Sequence, residues 1–103
     1  MAYAVILSVE AVRDLRRLDA HRRAEVKHRI ELHLRHEPTK VSRSRIKRLH
    51  GLQQPQYRLR VGDIRVYYDV TPAEVQVLGI VAKSDSQSWL EEAGIADEEG
   101  SPQ

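Results

Sequence analysis

The chain has 103 residues, no cysteine and no phenylalanine, and its 17 Lys and Arg side chains against 15 Asp and Glu leave a formal charge of +2. That length supports one domain with a single core of Val, Leu, Ile, Ala and Tyr. Absent cysteine excludes a disulfide framework and a thiolate metal site. No apolar run approaches the roughly 18 residues of a membrane span, and the start from Met1 to Leu7 lacks the basic residues and cleavage pattern of a signal peptide. A soluble, cytoplasmic protein with no membrane partner is expected.

Tyr3 to Leu7 reads as a first, buried strand. Ser8 can cap a helix from Val9 to Leu18, with Glu10 in its first turn and Ala11, Val12, Leu15 and Leu18 at helical spacing. Asp19 can cap a second helix from Ala20 to His36, where Val26, Ile30 and Leu34 form an i, i+4 stripe with Leu32 and His33 beside it. Glu37-Pro38 ends it, because the residue before proline disfavours the helical region. Arg13, Arg16, Arg17, Arg22 and Arg23 read as a solvated helix face. His21, His28, His33 and His36 recur without a carboxylate constellation, so they do not read as metal ligands. Thr39 to His50 is a basic connector without a clear period, and Gly51 to Pro55 a loop.

Two alternating runs then flank Gly62-Asp63, a dipeptide suited to a two-residue hairpin turn. Pairing across it sets Val61 opposite Ile64, Arg60 opposite Arg65, Leu59 opposite Val66, Arg58 opposite Tyr67 and Tyr57 opposite Tyr68. Alternation places Tyr57, Leu59, Val61, Ile64, Val66 and Tyr68 on a core face, and Arg58, Arg60, Arg65 and Tyr67 on the other. Directly opposed like charges destabilise a strand pair. One reading is a preformed site for an anion such as phosphate, which bidentate arginines suit. The other is a solvated face with its arginines splayed or paired to Asp69 and Glu74.

Thr71-Pro72-Ala73 turns the chain into a strand from Glu74 to Val81, apolar on both faces and so suited to a sheet interior. Ser84 or Asp85 can cap a short last helix through Trp89 to Ala93. Trp89 reads as a core plug or as a platform for base stacking. The domain is expected over residues 1–93, with 94–103 an acidic, disordered tail. The fold class is α+β, a two-helix hairpin packed on a small antiparallel-rich sheet.

Charge is uneven. From Lys40 to Arg65 eight Lys or Arg side chains stand against Asp63 alone, whereas after Arg65 only Lys83 is basic against eight acids. A basic body with an acidic end suits a nucleic acid or an acidic protein partner. Lys40, Arg43, Arg45, Lys47, Arg48 and Lys83 are the candidate RNA-binding residues.

The opening Tyr-x-Val-Ile-Leu-Ser-x-Glu-Ala, the approach Ile46-Lys47-Arg48-Leu49-His50-Gly51, the hairpin from Tyr57 to Tyr68 and the closing Ile80-Val81-Ala82-Lys83 together resemble the RelE/ParE toxin superfamily of toxin–antitoxin systems. The basic connector leans towards its RelE branch. The resemblance implies a RelE-like fold and ribosome-dependent mRNA cleavage without a metal or other cofactor. In that chemistry the substrate's own 2′-hydroxyl attacks the adjacent phosphate, leaving a cyclic phosphate and a 5′-hydroxyl. It also implies a small cognate antitoxin, held in a toxin–antitoxin hetero-oligomer, with the ribosome and mRNA as further partners. Arg58, Arg60 and Arg65 match the family's basic hairpin positions and become the catalytic candidates. The chain departs from the family in three ways: RelE has lysines at the positions of Arg58 and Arg60, a further arginine where this chain has Ser84, and a tyrosine near Trp89 or Leu90. Arginine is a poor general base, so Tyr67 is the substitute for proton transfer, with His50 the second candidate. Inhibition of gyrase, as in the ParE branch, and a catalytically weakened homologue that mainly binds its antitoxin are the alternatives.

Overall fold

The computed structural model describes residues 2–96. Its elements are β1 (Ala4–Leu7), α1 (Val9–Arg17), α2 (Ala20–Leu34), β2 (Ile46–Arg48), β3 (Leu52–Gln54), β4 (Tyr57–Val61), β5 (Ile64–Val70), β6 (Glu74–Ala82), a 3-10 turn (Lys83–Asp85), α3 (Ser86–Ala93) and β7 (Ile95–Ala96). Five strands form one sheet in the order β1-β6-β5-β4-β2, and β3 pairs with β7 separately. Among the described residues only β1 and β6 run parallel; β6, β5, β4 and β2 are antiparallel neighbours. The parallel pair needs a crossover, and α1 and α2 supply the start of it.

Both helices begin where short polar side chains stop the strand or turn before them. Ser8 Oγ accepts from the Ala11 N–H at 3.0 Å and donates to the Leu78 carbonyl at 3.1 Å, so a single hydroxyl caps α1 and ties it to β6. Asp19 accepts from the Arg22 N–H at 2.9 Å at the start of α2. The α2 stripe Val26, Ile30 and Leu34 is buried with Ala11 against Leu59, Val61, Ile64, Val66, Tyr68, Val75, Val77 and Ile80. The Tyr68 hydroxyl closes this layer by donating to the Pro38 carbonyl at 2.7 Å.

Several expectations are corrected. β1 is an edge strand, with Ile6 exposed, because only β6 flanks it. Leu32 is exposed, because two residues from Ile30 and from Leu34 it falls on the opposite side of the helix from the buried stripe. Arg22 and Arg23 are not merely solvated. Arg22 donates from Nη2 to Asp63 at 2.9 Å, while Arg23 donates to the carbonyls of Leu15, Arg16 and Leu18 and so caps the end of α1. The basic connector ends in β2 and the following loop contains β3, both too short for any period to register. Ile95 and Ala96, at the start of the expected tail, pair with Gln54 and Leu52; residues 97–103 lie outside the described residues. No helix among the described residues is long and apolar enough to cross a membrane.

Candidate functional site

The hairpin register is the expected one, from Val61↔Ile64 through Arg60↔Arg65 to Tyr57↔Tyr68. Gly62 makes the turn possible, adopting φ +58°, a backbone region that side chains disfavour. Leu59, Val61, Ile64, Val66 and Tyr68 are buried on the helix side. Opposite them, β2 extends the charged face by one residue, since Lys47 pairs with Arg58. Lys47, Arg58, Tyr67 and Gly79 therefore form one row across β2, β4, β5 and β6, with Arg60, Arg65 and Val81 as the next row.

Arg65 is the anchor of this face. It is 6% exposed, and its Nη1 donates to the carbonyls of Gly62 at 2.8 Å and Ile64 at 3.1 Å. Desolvation lowers its pKa, and the positive charges of Arg58 and then Arg60 lower it further, with Tyr67 and Asp63 acting weakly the other way. Arg58 is half-buried, and its buried Nε has no hydrogen-bond partner among the described residues. Among the described residues no carboxylate forms an ion pair with Lys47, Arg58, Arg60 or Arg65. Asp69 and Glu74 are otherwise engaged. Asp69 accepts from the Gln56 N–H at 2.8 Å and Glu74 from Gln76 Nε2 at 3.3 Å. The nearby Asp63 is held by Arg22. A partly desolvated group of guanidinium side chains lacking counter-charge favours an incoming oxyanion.

Tyr67 lies on this face but not in the open. It is 2% exposed, and the Trp89 indole stacks on its ring with centroids 4.8 Å apart and planes 13° apart. Gly79 makes room for that indole: a Cβ there would fall 2.4 Å from Trp89 Cζ2. Trp89 is thus a plug, on the charged face and not in the helix-side core. With α3 in this position, the Tyr67 ring is closed to a substrate. The neighbouring Tyr68 has its phenol pushed up strongly by burial, with Tyr57 adding to the shift, and its hydroxyl already donates to the Pro38 carbonyl, which makes it a structural anchor.

The remaining expected residues spread round the β2 end. Lys40, Arg43, Arg45, Lys47, Arg48, His50 and Lys83 are all exposed. Of these only Lys47 stands in the hairpin's charged rows. Arg48 shares the side of Tyr57, placing its guanidinium carbon 5.1 Å from that ring and donating to the Gln56 carbonyl at 2.8 Å. Lys40 pairs with Glu37 at 3.5 Å, and Arg45 reaches His33 on α2 at 2.8 Å. Lys83 sits beside the hairpin turn, its N–H donating to the Asp63 carbonyl at 2.7 Å. Sequence reasoning placed Lys47 among the RNA-binding residues but not in register with Arg58. The apolar Ile46, which pairs with Leu59, was the available signal. Among the described residues no three His, Asp or Glu side chains are grouped to hold a metal ion.

No protein-family model matches the sequence, and no curated protein matches it. Solved structures do. The archaeal RelE–RelB complex from Pyrococcus horikoshii contains a chain 24% identical, with a TM-score of 0.66, over 81% of this chain and 97% of that one. The RelBE2 toxin–antitoxin complex from Mycobacterium tuberculosis gives 25% identity and a TM-score of 0.61 over 80% and 99%. The RelB–RelE complex from Methanococcus jannaschii gives 20% and 0.62 over 82% and 96%. The shared architecture extends over nearly the whole of each neighbour, and this chain has the RelE-like toxin fold.

Proposed function

We propose that this chain is the toxin of a type II toxin–antitoxin system and inhibits translation by cutting mRNA on the ribosome, without a metal. The carrying observation is that Arg58, Arg60 and Arg65 come from one face of one hairpin, with no carboxylate ion-paired to them among the described residues. The fold neighbours support a toxin with a small antitoxin partner, since their structures are toxin–antitoxin complexes.

In the reaction the substrate 2′-oxygen bonds to phosphorus, the bond to the 5′-oxygen breaks, and a cyclic phosphate and a 5′-hydroxyl remain. Negative charge on the phosphoryl oxygens grows in the crowded intermediate. Arg65, held by two carbonyls, and Arg58, half-buried and without an ion pair among the described residues, offer preorganised charge at that point. Arg60 and Lys47 add cations at the border. The 2′-hydroxyl proton passes to water, and the departing 5′-oxygen takes a proton from water or, once α3 shifts, from the Tyr67 phenol, which Trp89 otherwise covers.

The test is purified protein with ribosomes and mRNA in the presence of a chelator, reading new 5′-hydroxyl ends. Arg65→Ala and Arg58→Ala should each lower cleavage by about a hundredfold or more. Inhibition of gyrase supercoiling without new mRNA ends would overturn the reading in favour of a ParE-like target.

A further inference from the structure

Beside the hairpin turn, where the end of β4 meets α2 and the connector, lies a cleft of about 240 Å³ lined by Glu25, Arg29, Ser44, Arg45, Arg60, Val61 and Gly62. Three guanidinium side chains from three separate segments (helix, connector and hairpin) thus meet one carboxylate, and Arg29, Arg45 and Arg60 form no ion pair among the described residues. We infer that this cleft is a second phosphate subsite, taking a backbone phosphodiester of the single-stranded RNA that flanks the one held at Arg58 and Arg65. The inference rests on the RNA reading above and adds Arg29 and His33 to it.

Three observations carry it. First, Arg60 belongs to both places: it lines the cleft and stands directly opposite Arg65 in the hairpin register, so the two anion sites are contiguous. A continuous polyanion fits this better than an isolated acidic side chain. Second, Arg45 is held in place. Its Nη1 lies 2.8 Å from His33 Nε2, and because arginine only donates, the imidazole nitrogen must be unprotonated and accepting. Third, the neutral imidazole this requires is the form the surroundings favour: burial lowers the His33 pKa, followed by the charges of Arg45, Arg29 and His28. The other charged groups near His33 are Glu37 and Lys40, across the adjoining cleft, and these pair with each other at 3.5 Å. A neutral His33 therefore acts as a positioning residue, orienting Arg45 without removing its charge. Glu25 sets the limit of the site, admitting one anion among three cations.

The experiment uses the full chain and a labelled single-stranded RNA of about twelve nucleotides, methylated at every 2′-oxygen so that it cannot be cut. Fluorescence anisotropy is read from about 50 to 200 mM salt. Arg29→Gln and Arg45→Gln should each weaken binding about three- to tenfold and reduce the logarithmic salt slope by about one. His33→Ala should weaken binding less, and His33→Gln, whose amide oxygen can accept from Arg45, should restore it. In NMR titrations the His33 imidazole should move to higher pH when the RNA is bound, because the phosphate offsets Arg45 and Arg29. Unchanged affinity and slope in both arginine variants would overturn the subsite, as would a wild-type chain that does not bind. Loss of antitoxin binding in those variants with RNA affinity intact would also overturn it, giving the cleft to a protein partner. The cleavage reading fails separately: a cut-deficient wild type that still binds through Arg29 and Arg45 would leave this subsite standing.

Discussion

The two faces of the β4–β5 hairpin come from the same cross-strand pairs and meet opposite fates. On the helix side, Leu59, Val61, Ile64, Val66 and Tyr68 interlock with the α2 stripe and leave almost no accessible surface. On the other side stand Arg58, Arg60 and Arg65, two of them opposed, with Tyr67 sheltered by a single indole. The first arrangement stabilises the fold; the second opposes it, since desolvated like charges are unfavourable without a counter-ion. One strand pair can carry both because side chains alternate, so the stability of one face holds the strain of the other.

The sharpest way to break this contrast is to damage the stable face. Leu59→Ala, at a fully buried position, should cost about 2–5 kcal/mol in urea denaturation, and should abolish activity only through unfolding. Next comes the shelter. Gly79→Ala would drive a methyl group into the Trp89 indole, so it should cost about 1–3 kcal/mol. Because Trp89 is the only tryptophan, its fluorescence should shift to the red as the ring leaves Tyr67. Replacing the anchor tests the claim that the charged face is kept for function. Arg65→Met should stay within about 1 kcal/mol of the parent or exceed it, while RNA cleavage is lost; a loss beyond about 3 kcal/mol would make Arg65 a structural residue instead.

The smallest effect concerns Asp69, at the edge of the charged face. Burial raises its pKa, with the Gln56 N–H and then Arg48 acting the other way. A carboxyl that holds its proton more tightly when folded loses stability as pH rises from the ordinary aspartate range through its folded value. Asp69→Asn keeps an oxygen for the Gln56 N–H. It should therefore be more stable than the parent at neutral pH by less than about 1 kcal/mol, the two curves converging below about pH 3. Melting temperatures across pH check this.

The hairpin was legible because three local signals agree there: a turn dipeptide, strict alternation and an apolar set that falls wholly on one side. The helix caps at Ser8 and Asp19 were legible for the same reason, as each uses a backbone N–H only three residues on. What escaped depends on contacts distant in sequence. β2 is three residues long and exists because β4 offers it an edge, so beyond the apolar Ile46 nothing in Ile46-Lys47-Arg48 announces a strand. The pairing of β3 with β7 joins segments about forty residues apart. Arg23 looks like any surface arginine until the end of α1 is folded beneath it.

The sequence by itself determined which residues share a face, because strand and helix periods are properties of the covalent chain. It thereby brought Arg58, Arg60 and Arg65 together before any fold was known. Only the tertiary structure decided which of these groups is open, desolvated or covered. Trp89 over Tyr67, the carbonyl cradle of Arg65 and the joining of Arg29 and Arg45 to Arg60 all depend on where α3, the turn and α2 pack. Accessibility and field are set by neighbours in space, and a periodic pattern carries no record of them.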